Sequence, residues 1–241
     1  MARTSFVFIC VCAFMQPALA QANAAEHQSP TVVEFFTSQS CSSCVPANEQ
    51  FSALASRSDI VALNWHVDYW NTLFTQQGRW VDPYSSAEYT QRQRTYNENI
   101  RQRRSVYTPQ IVIGGDTEIQ GNAGSALIEK VDQSSTSRPA SKITTRIVSE
   151  KIEFSIVKNS GGNAYLIYFD LETQTAIQNG ENAGKTMSER NVVTKVERLG
   201  VVRRSGATFE TALTPKGKGC ALLIQEPRQG RIIDATYCPS A

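Results

Sequence analysis

Thr37-Ser38-Gln39-Ser40-Cys41-Ser42-Ser43-Cys44-Val45-Pro46 is the stretch on which the reading of this chain turns. It follows the apolar run Val32-Val33-Glu34-Phe35-Phe36 and precedes Asn48-Glu49-Gln50-Phe51-Ser52-Ala53-Leu54-Ala55, which has helical character. A strand, a CxxC and a helix in direct succession point to a thiol–disulfide site. The first turn of a helix exposes unpaired N–H groups and a partial positive charge, and both stabilise a thiolate. A free cysteine titrates near ~8.5, and placements of this kind bring it down to roughly 3.5–7.5. Ser42 and Ser43 are small and leave Cys41 approachable, which casts Cys41 as the attacking thiol and Cys44, one helical turn in, as the resolving one.

The remainder of the 241 residues sets the context. With 41% apolar and 19% charged residues the composition is globular, and the length suits one large domain or two ordinary ones. Arg3, the apolar run Ser5 to Phe14 and the small-x-small site Ala18-Leu19-Ala20 have the layout of a secretory signal peptide over residues 1–20. Its removal takes Cys10, Cys12 and Arg3, leaves Cys41, Cys44, Cys220 and Cys238, and lowers the formal net charge from +2 to +1. Nothing in that charge points to nucleic acid. No internal apolar run approaches the ~20 residues of a membrane-spanning helix. The expectation is a periplasmic or secreted protein with no membrane insertion after cleavage. An even cysteine count in such a compartment favours disulfides.

Taken in order, the pattern predicts a strand over 31–36, a helix over 44–56 and a buried strand over 59–67. Ser85 and Glu88 form a capping box for a helix reaching Arg104, with Tyr89, Gln93, Tyr96 and Ile100 on one face. Its arginines, Arg92, Arg94, Arg101, Arg103 and Arg104, read as a solvated face or as a steering patch for an acidic substrate. A strand from Val106 to Ile113, the turn Gly114-Gly115, a returning strand to Gln120 and a helix over 123–133 complete this half. The small polar stretch 134–139 reads as a linker, and about seven strands follow it, a β-sandwich signature. The fold expectation is therefore an α/β thioredoxin-like domain over 30–136, followed by an all-β sandwich-like domain over 140–241.

Cys220 and Cys238 bracket a predicted hairpin. With a five-residue loop, Pro227 to Arg231, the register sets Ile224 against Asp234 and Cys220 against Cys238, within disulfide reach. A four-residue loop would move the partner of Cys220 to Tyr237. The competing arrangement, four cysteines around one zinc ion, needs the two halves of the chain to converge.

Thr108-Pro109 opens a strand expected beside the first one, which brings the proline near the CxxC. Strand–CxxC–helix followed by such a Thr-Pro resembles the thioredoxin fold, and the resemblance implies a cis Thr108–Pro109 bond against the two cysteines. Phe35-Phe36-Thr37-Ser38-Gln39-Ser40-Cys41-Ser42-Ser43-Cys44, His66-Val67-Asp68-Tyr69-Trp70, Arg92-Gln93-Arg94 with Tyr96, Val106 to Gln110, and Gly180-Glu181-Asn182-Ala183-Gly184-Lys185 are similar to the domain of unknown function 1223 family of exported bacterial proteins. That resemblance implies a thioredoxin-like part followed by a β-rich part. No Gly-Pro lies between the cysteines, so a direction of electron flow does not transfer.

The leading functional expectation is a thiol–disulfide oxidoreductase acting through Cys41 and Cys44 on protein or peptide disulfides, with an unknown redox partner and no cofactor. Pro109 would shape the substrate groove and Thr108 would offer backbone to an extended peptide. His66 and Asp68 share a strand face and read either as a local hydrogen-bonded pair or as a proton relay, and Glu34 reads as an inward carboxylate able to move protons. One alternative is a metal-binding protein or metallochaperone using Cys41, Cys44 and His66 on a soft ion such as Cu(I). The other is a binding module in which the CxxC is a structural staple.

Overall fold

β1 (Thr31–Thr37) is buried along its whole length, as a continuous run of Val and Phe requires of a central strand. α1 (Cys44–Leu54) carries the chain across to β2 (Ile60–His66), which lies parallel to β1 from Thr31↔Ile60 to Thr37↔His66. α2 (Ala87–Arg101) leads to β3 (Gln110–Ile113), antiparallel to β1, and the hairpin partner β4 (Thr117–Gln120) precedes α3 (Ser125–Thr136). Then come β5 (Ile143–Val148), β6 (Lys151–Ile156), β7 (Gly162–Ala176), β8 (Thr186–Val202), β9 (Ala207–Ala212), β10 (Lys218–Gln225) and β11 (Ile232–Tyr237). This computed structural model describes residues 28–157 and 161–239; the expected signal peptide lies outside the described residues.

Among those residues the strands form an eight-stranded sheet, ordered β11-β10-β7-β8-β2-β1-β3-β4, and a three-stranded sheet, β5-β6-β9. The fold is mixed α/β, with a large sheet and few helices. The strands expected to form a separate sandwich thus divide. β7, β8, β10 and β11 extend the sheet that β1 to β4 begin, because β8 runs parallel to β2 at Asn64↔Val192. The others cover the far half as a second layer, with Ile152 and Phe154 packed against Leu166, Leu222 and Ile224.

Alternation along β1 assigns the helices to faces. Val33 and Phe35 pack on Phe51 and Leu54 of α1 and Leu127 of α3, with the Phe35 and Phe51 rings stacked at 5.1 Å. Val32 and Phe36 face Trp65 and the α2 residues Tyr89 and Tyr96. Glu34 belongs to this second face. The large sheet curls until β11 meets the β3–β4 turn, where Ile232 donates its N–H to the Gly114 carbonyl at 2.7 Å. Gly115 there has φ +81°, and a Cβ would sit 2.7 Å from the Gly230 carbonyl, so only glycine fits.

Two local expectations need correction. Ser86, not Ser85, caps α2: its side chain accepts from the Glu88 N–H at 3.1 Å, while the Ser85 hydroxyl donates to the Asp82 carbonyl. Arg92 is not part of a solvated face; it is largely covered and paired with Glu34 at 2.7 Å, with its guanidinium over the Trp65 and Tyr96 rings. The terminal hairpin reaches the expected pairing by a different route. Glu226 bonds Arg231, so the loop is one residue shorter than assumed, but a bulge between Ile224 and Gln225 restores Ile224↔Asp234. Cys220 and Cys238 then lie 5.2 Å apart at Cα, and their sulfurs are bonded.

Replacing Cys220 and Cys238 with serine lowers stability by about 3 kcal/mol, the loop-closure entropy of a crosslink of this span. Urea unfolding of the oxidised parent and the double variant measures the difference; equal midpoints would contradict a stabilising role.

Candidate functional site

The chain leaves β1 through a turn in which Cys41 donates its N–H to the Ser38 carbonyl at 3.1 Å, and Cys44 donates to the Cys41 carbonyl at 3.2 Å. α1 begins at Cys44 with no side-chain cap from Ser43 and no acidic residue of its own in the first turn. Pro46 sits in that turn, where its missing N–H costs no helical hydrogen bond. Cys41 and Cys44 are joined as a disulfide with their Cα atoms 5.3 Å apart. Ser42 and Ser43 are exposed, but both cysteines are fully buried. Cys41 is therefore not at an approachable end, contrary to the reading from its small neighbours.

The cover comes from the other half of the chain. The connection between β7 and β8, residues 177–185, folds over the CxxC turn. Ser42 donates its N–H to the Glu181 carboxylate at 2.9 Å. Asn182, itself fully buried, donates from Nδ2 to the carbonyls of Gln39 at 2.9 Å and Cys41 at 3.1 Å. Gly180 lies against Trp80, where a Cβ would come within 3.1 Å of the Trp80 Cβ.

The Thr108–Pro109 bond is cis. Pro109 is buried beside Gly121, where a Cβ would lie 2.9 Å from the Pro109 ring and 3.4 Å from Ala47 Cβ. Ala47 is three residues after Cys44, so the proline packs on the α1 side of the sheet, next to the first turn of that helix. Thr108 accepts from the Trp70 indole N–H at 2.7 Å. The structure thus brings Cys41, Cys44, Thr108 and Pro109 to one end of the sheet.

It does not bring the proposed relay residues there together. Asp68 is turned to α2, where Thr90 donates its hydroxyl to it at 2.6 Å. Glu34 lies on the opposite face from α1 and is held by Arg92 at 2.7 Å and by the Tyr96 hydroxyl. Neither reaches the cysteines: strand alternation puts Glu34 on the face away from α1, and Asp68 lies beyond the end of β2, at the head of the Tyr69–Thr72 turn. His66 pairs instead with Asp82, Nδ1 to Oδ2 at 2.7 Å, and its Nε2 stands 3.3 Å from Glu189 Oε1, close enough for strong attraction though poorly angled for a hydrogen bond. All three side chains are fully buried. With both ring nitrogens facing carboxylates, His66 is not available as a third metal ligand beside the CxxC. Among the described residues no group of three His, Cys, Asp or Glu is arranged to hold a metal ion.

Burial by itself would discharge this imidazole, but the negative charges of Asp82 and Glu189 override it and hold the His66 pKa well above its ordinary value. Burial would likewise raise the Asp82 carboxyl, and the His66 imidazolium overrides that and keeps it below the usual carboxylate range. Gln39 joins this cluster to the disulfide. Its backbone N–H donates to Asp82 at 2.8 Å and its side chain to Glu189 at 2.8 Å and Thr175 at 3.1 Å. Sequence reasoning missed Asp82, Glu189 and Gln39, and it quoted Glu181 and Asn182 only as part of a resemblance.

The chain belongs to the family described as Protein of unknown function (DUF1223), whose model matches residues 32–225. The crystal structure of an Agrobacterium tumefaciens protein is similar at a TM-score of 0.73 and 27% identity, covering 90% of this chain and 97% of that one. HBP35 of Porphyromonas gingivalis is similar in fold, with a TM-score of 0.58, 13% identity and coverage of 87% and 74%. No curated protein matches the chain.

Replacing His66 by glutamine leaves two buried carboxylates without their cation and costs roughly 3–5 kcal/mol. The raised His66 pKa gives stability that is full below about pH 6.5 and is lost as pH rises through the folded value. The lowered Asp82 pKa gives stability present above about pH 4 and lost as pH falls through its folded value. Urea midpoints across pH should therefore decline on the alkaline side in the parent and lose that decline in H66Q. Parallel profiles for the two proteins would contradict the pairing.

Proposed function

We propose that this chain is an exported, thioredoxin-like thiol–disulfide oxidoreductase acting through Cys41 and Cys44 on protein or peptide disulfides. The observation that carries the reading is the cis Thr108–Pro109 packed beside the first turn of the helix that begins with the CxxC. Further support comes from the arrangement around it. The strand order β2-β1-β3-β4, with α1 as the crossover between parallel strands and β3 antiparallel, is what the thioredoxin resemblance implies. No helix among the described residues is long and apolar enough to cross a membrane.

The chemistry follows from the position of the two sulfurs. In the reduced protein the Cys41 thiolate attacks one sulfur of a substrate disulfide, forming a mixed disulfide and expelling the other substrate sulfur as a thiolate. Cys44, deprotonated, then attacks Cys41 Sγ, closes the Cys41–Cys44 bond and releases the second substrate thiolate. Two electrons pass to the substrate, and the two protons given up by the cysteines end on its thiols. The same steps reversed oxidise a substrate dithiol. Thr108 and Pro109 line the approach, and no metal or organic cofactor takes part.

A second reading, a binding module stapled by an inert CxxC disulfide, draws on one specific observation: both cysteines are fully buried. The two readings separate on reactivity. The reduced protein should turn over a peptide disulfide, the Cys41→Ser variant should lose that activity entirely, and Cys44→Ala should accumulate mixed disulfides with client proteins. Parent-like turnover in the Cys41→Ser variant, or no mixed disulfide trapped by Cys44→Ala, would refute the oxidoreductase reading.

A further inference from the structure

The reaction above requires Cys41 Sγ to be reached, and in the oxidised protein Cys41 is fully buried, with the 177–185 segment bonded to the backbone on either side of it. We propose that this segment is a redox-coupled gate, latched by Glu181 and Asn182, that admits reductant or substrate to Cys41–Cys44 only when its tip lifts. The proposal rests on the redox reading of the CxxC and adds two positioning residues to it.

The latch is local and specific. It consists of the Ser42 N–H on Glu181 and of Asn182 Nδ2 on the Gln39 and Cys41 carbonyls, so the tip grips the backbone on both sides of the first cysteine. The base of the segment is closed on itself, with Ile177 donating to Lys185 O at 2.9 Å and Gly184 to Ile177 O at 2.8 Å. The tip can therefore lift without unzipping β7 from β8, parting Gly180 from Trp80 as it does so. Lys185 reinforces it from within, its Nζ donating to Asn182 Oδ1 at 2.9 Å.

The coupling to redox state follows from charge. α1 supplies no acidic residue to its own first turn, and the exposed Glu181 places a carboxylate just ahead of the helix, on the Ser42 N–H. While the sulfurs are bonded to each other, Glu181 is the negative group drawn to this helix end. A dithiol changes that. One of its thiolates attacks Cys41 Sγ and releases Cys44 as a thiolate; its second thiolate displaces Cys41 and closes the reductant into its own disulfide. Two electrons and two protons move from the dithiol to the cysteine pair. A thiolate formed at Cys41, next to the Ser42 N–H that Glu181 holds, then repels that carboxylate. Reduction thereby weakens the latch, and reoxidation restores it.

The test uses the mature protein, dithiothreitol and N-ethylmaleimide quenching, with alkylated peptides counted by mass spectrometry. Cys220–Cys238 serves as an internal reference that the gate does not touch. In E181A, reduction of Cys41–Cys44 should accelerate roughly three- to tenfold relative to Cys220–Cys238, as expected for losing one exposed charge-assisted hydrogen bond. Amide exchange across 177–185 and at Ser42 should quicken when the parent is reduced. E181Q keeps an acceptor for Ser42 but no charge, so its exchange should not respond to reduction. An unchanged relative rate in E181A, or parent exchange that is the same in both redox states, would overturn the gate. Faster reduction in E181A without turnover of a peptide disulfide supports the gate while removing the oxidoreductase reading, so the two fail separately.

Discussion

The imidazolium of His66, held between Asp82 and Glu189, is the interaction on which the candidate site depends. Its three members come from the end of β2, from the segment after the Tyr69–Thr72 turn and from β8. Each buried ion carries a desolvation penalty of several kcal/mol that only close pairing offsets. The parallel contact between β2 and β8 has Asn64↔Val192 as its registered pair, so backbone hydrogen bonds alone join these strands weakly. The charge cluster fastens them where the ladder does not. Through Gln39, which donates to both carboxylates, the same cluster fixes the turn that leads into Cys41.

This arrangement explains why the C-terminal half bears on the cysteines at all. With β8 anchored beside β2, the connection back to β7 projects over the start of α1. Asn182 and Glu181 then meet the backbone of Gln39, Cys41 and Ser42. Asn48 of α1 adds a further tie, donating to the Ser188 carbonyl at 2.8 Å. On the proposed reading, the long β7–β8 hairpin is thus a part of the redox site rather than a separate binding platform.

Much of the N-terminal half was legible because its signals are local. The apolar run before the CxxC, the helical stretch after it and the aromatic face of α2 each occupy one segment with one period. The cis Thr108–Pro109 bond followed from a resemblance, not from periodicity. The Cys220–Cys238 pairing was reached with the wrong loop length, since a bulge at Ile224 and Gln225 cannot be seen in a hydrophobic pattern. What stayed hidden is non-local. Glu189 reads as one more charged residue of a polar stretch, and only His66 and Gln39, from the distant β2 and CxxC turn, give it a buried partner. Asp82 before Pro83 reads as a turn, which it also is, with Tyr84 donating its N–H to the Asp82 side chain at 3.0 Å. The burial of Cys41 could not be anticipated from Ser42 and Ser43, because residues 177–185, distant in sequence, bond the backbone on either side of it.

On the proposed reading, Cys41–Cys44 is a working redox couple and not a staple. Its reduction potential, measured by equilibration with glutathione or dithiothreitol buffers and read separately from Cys220–Cys238 by peptide mass, tests this most directly. A working couple has a potential above about −300 mV, in the range of catalytic dithiols. A value below about −300 mV, the range of inert structural bonds, would contradict it.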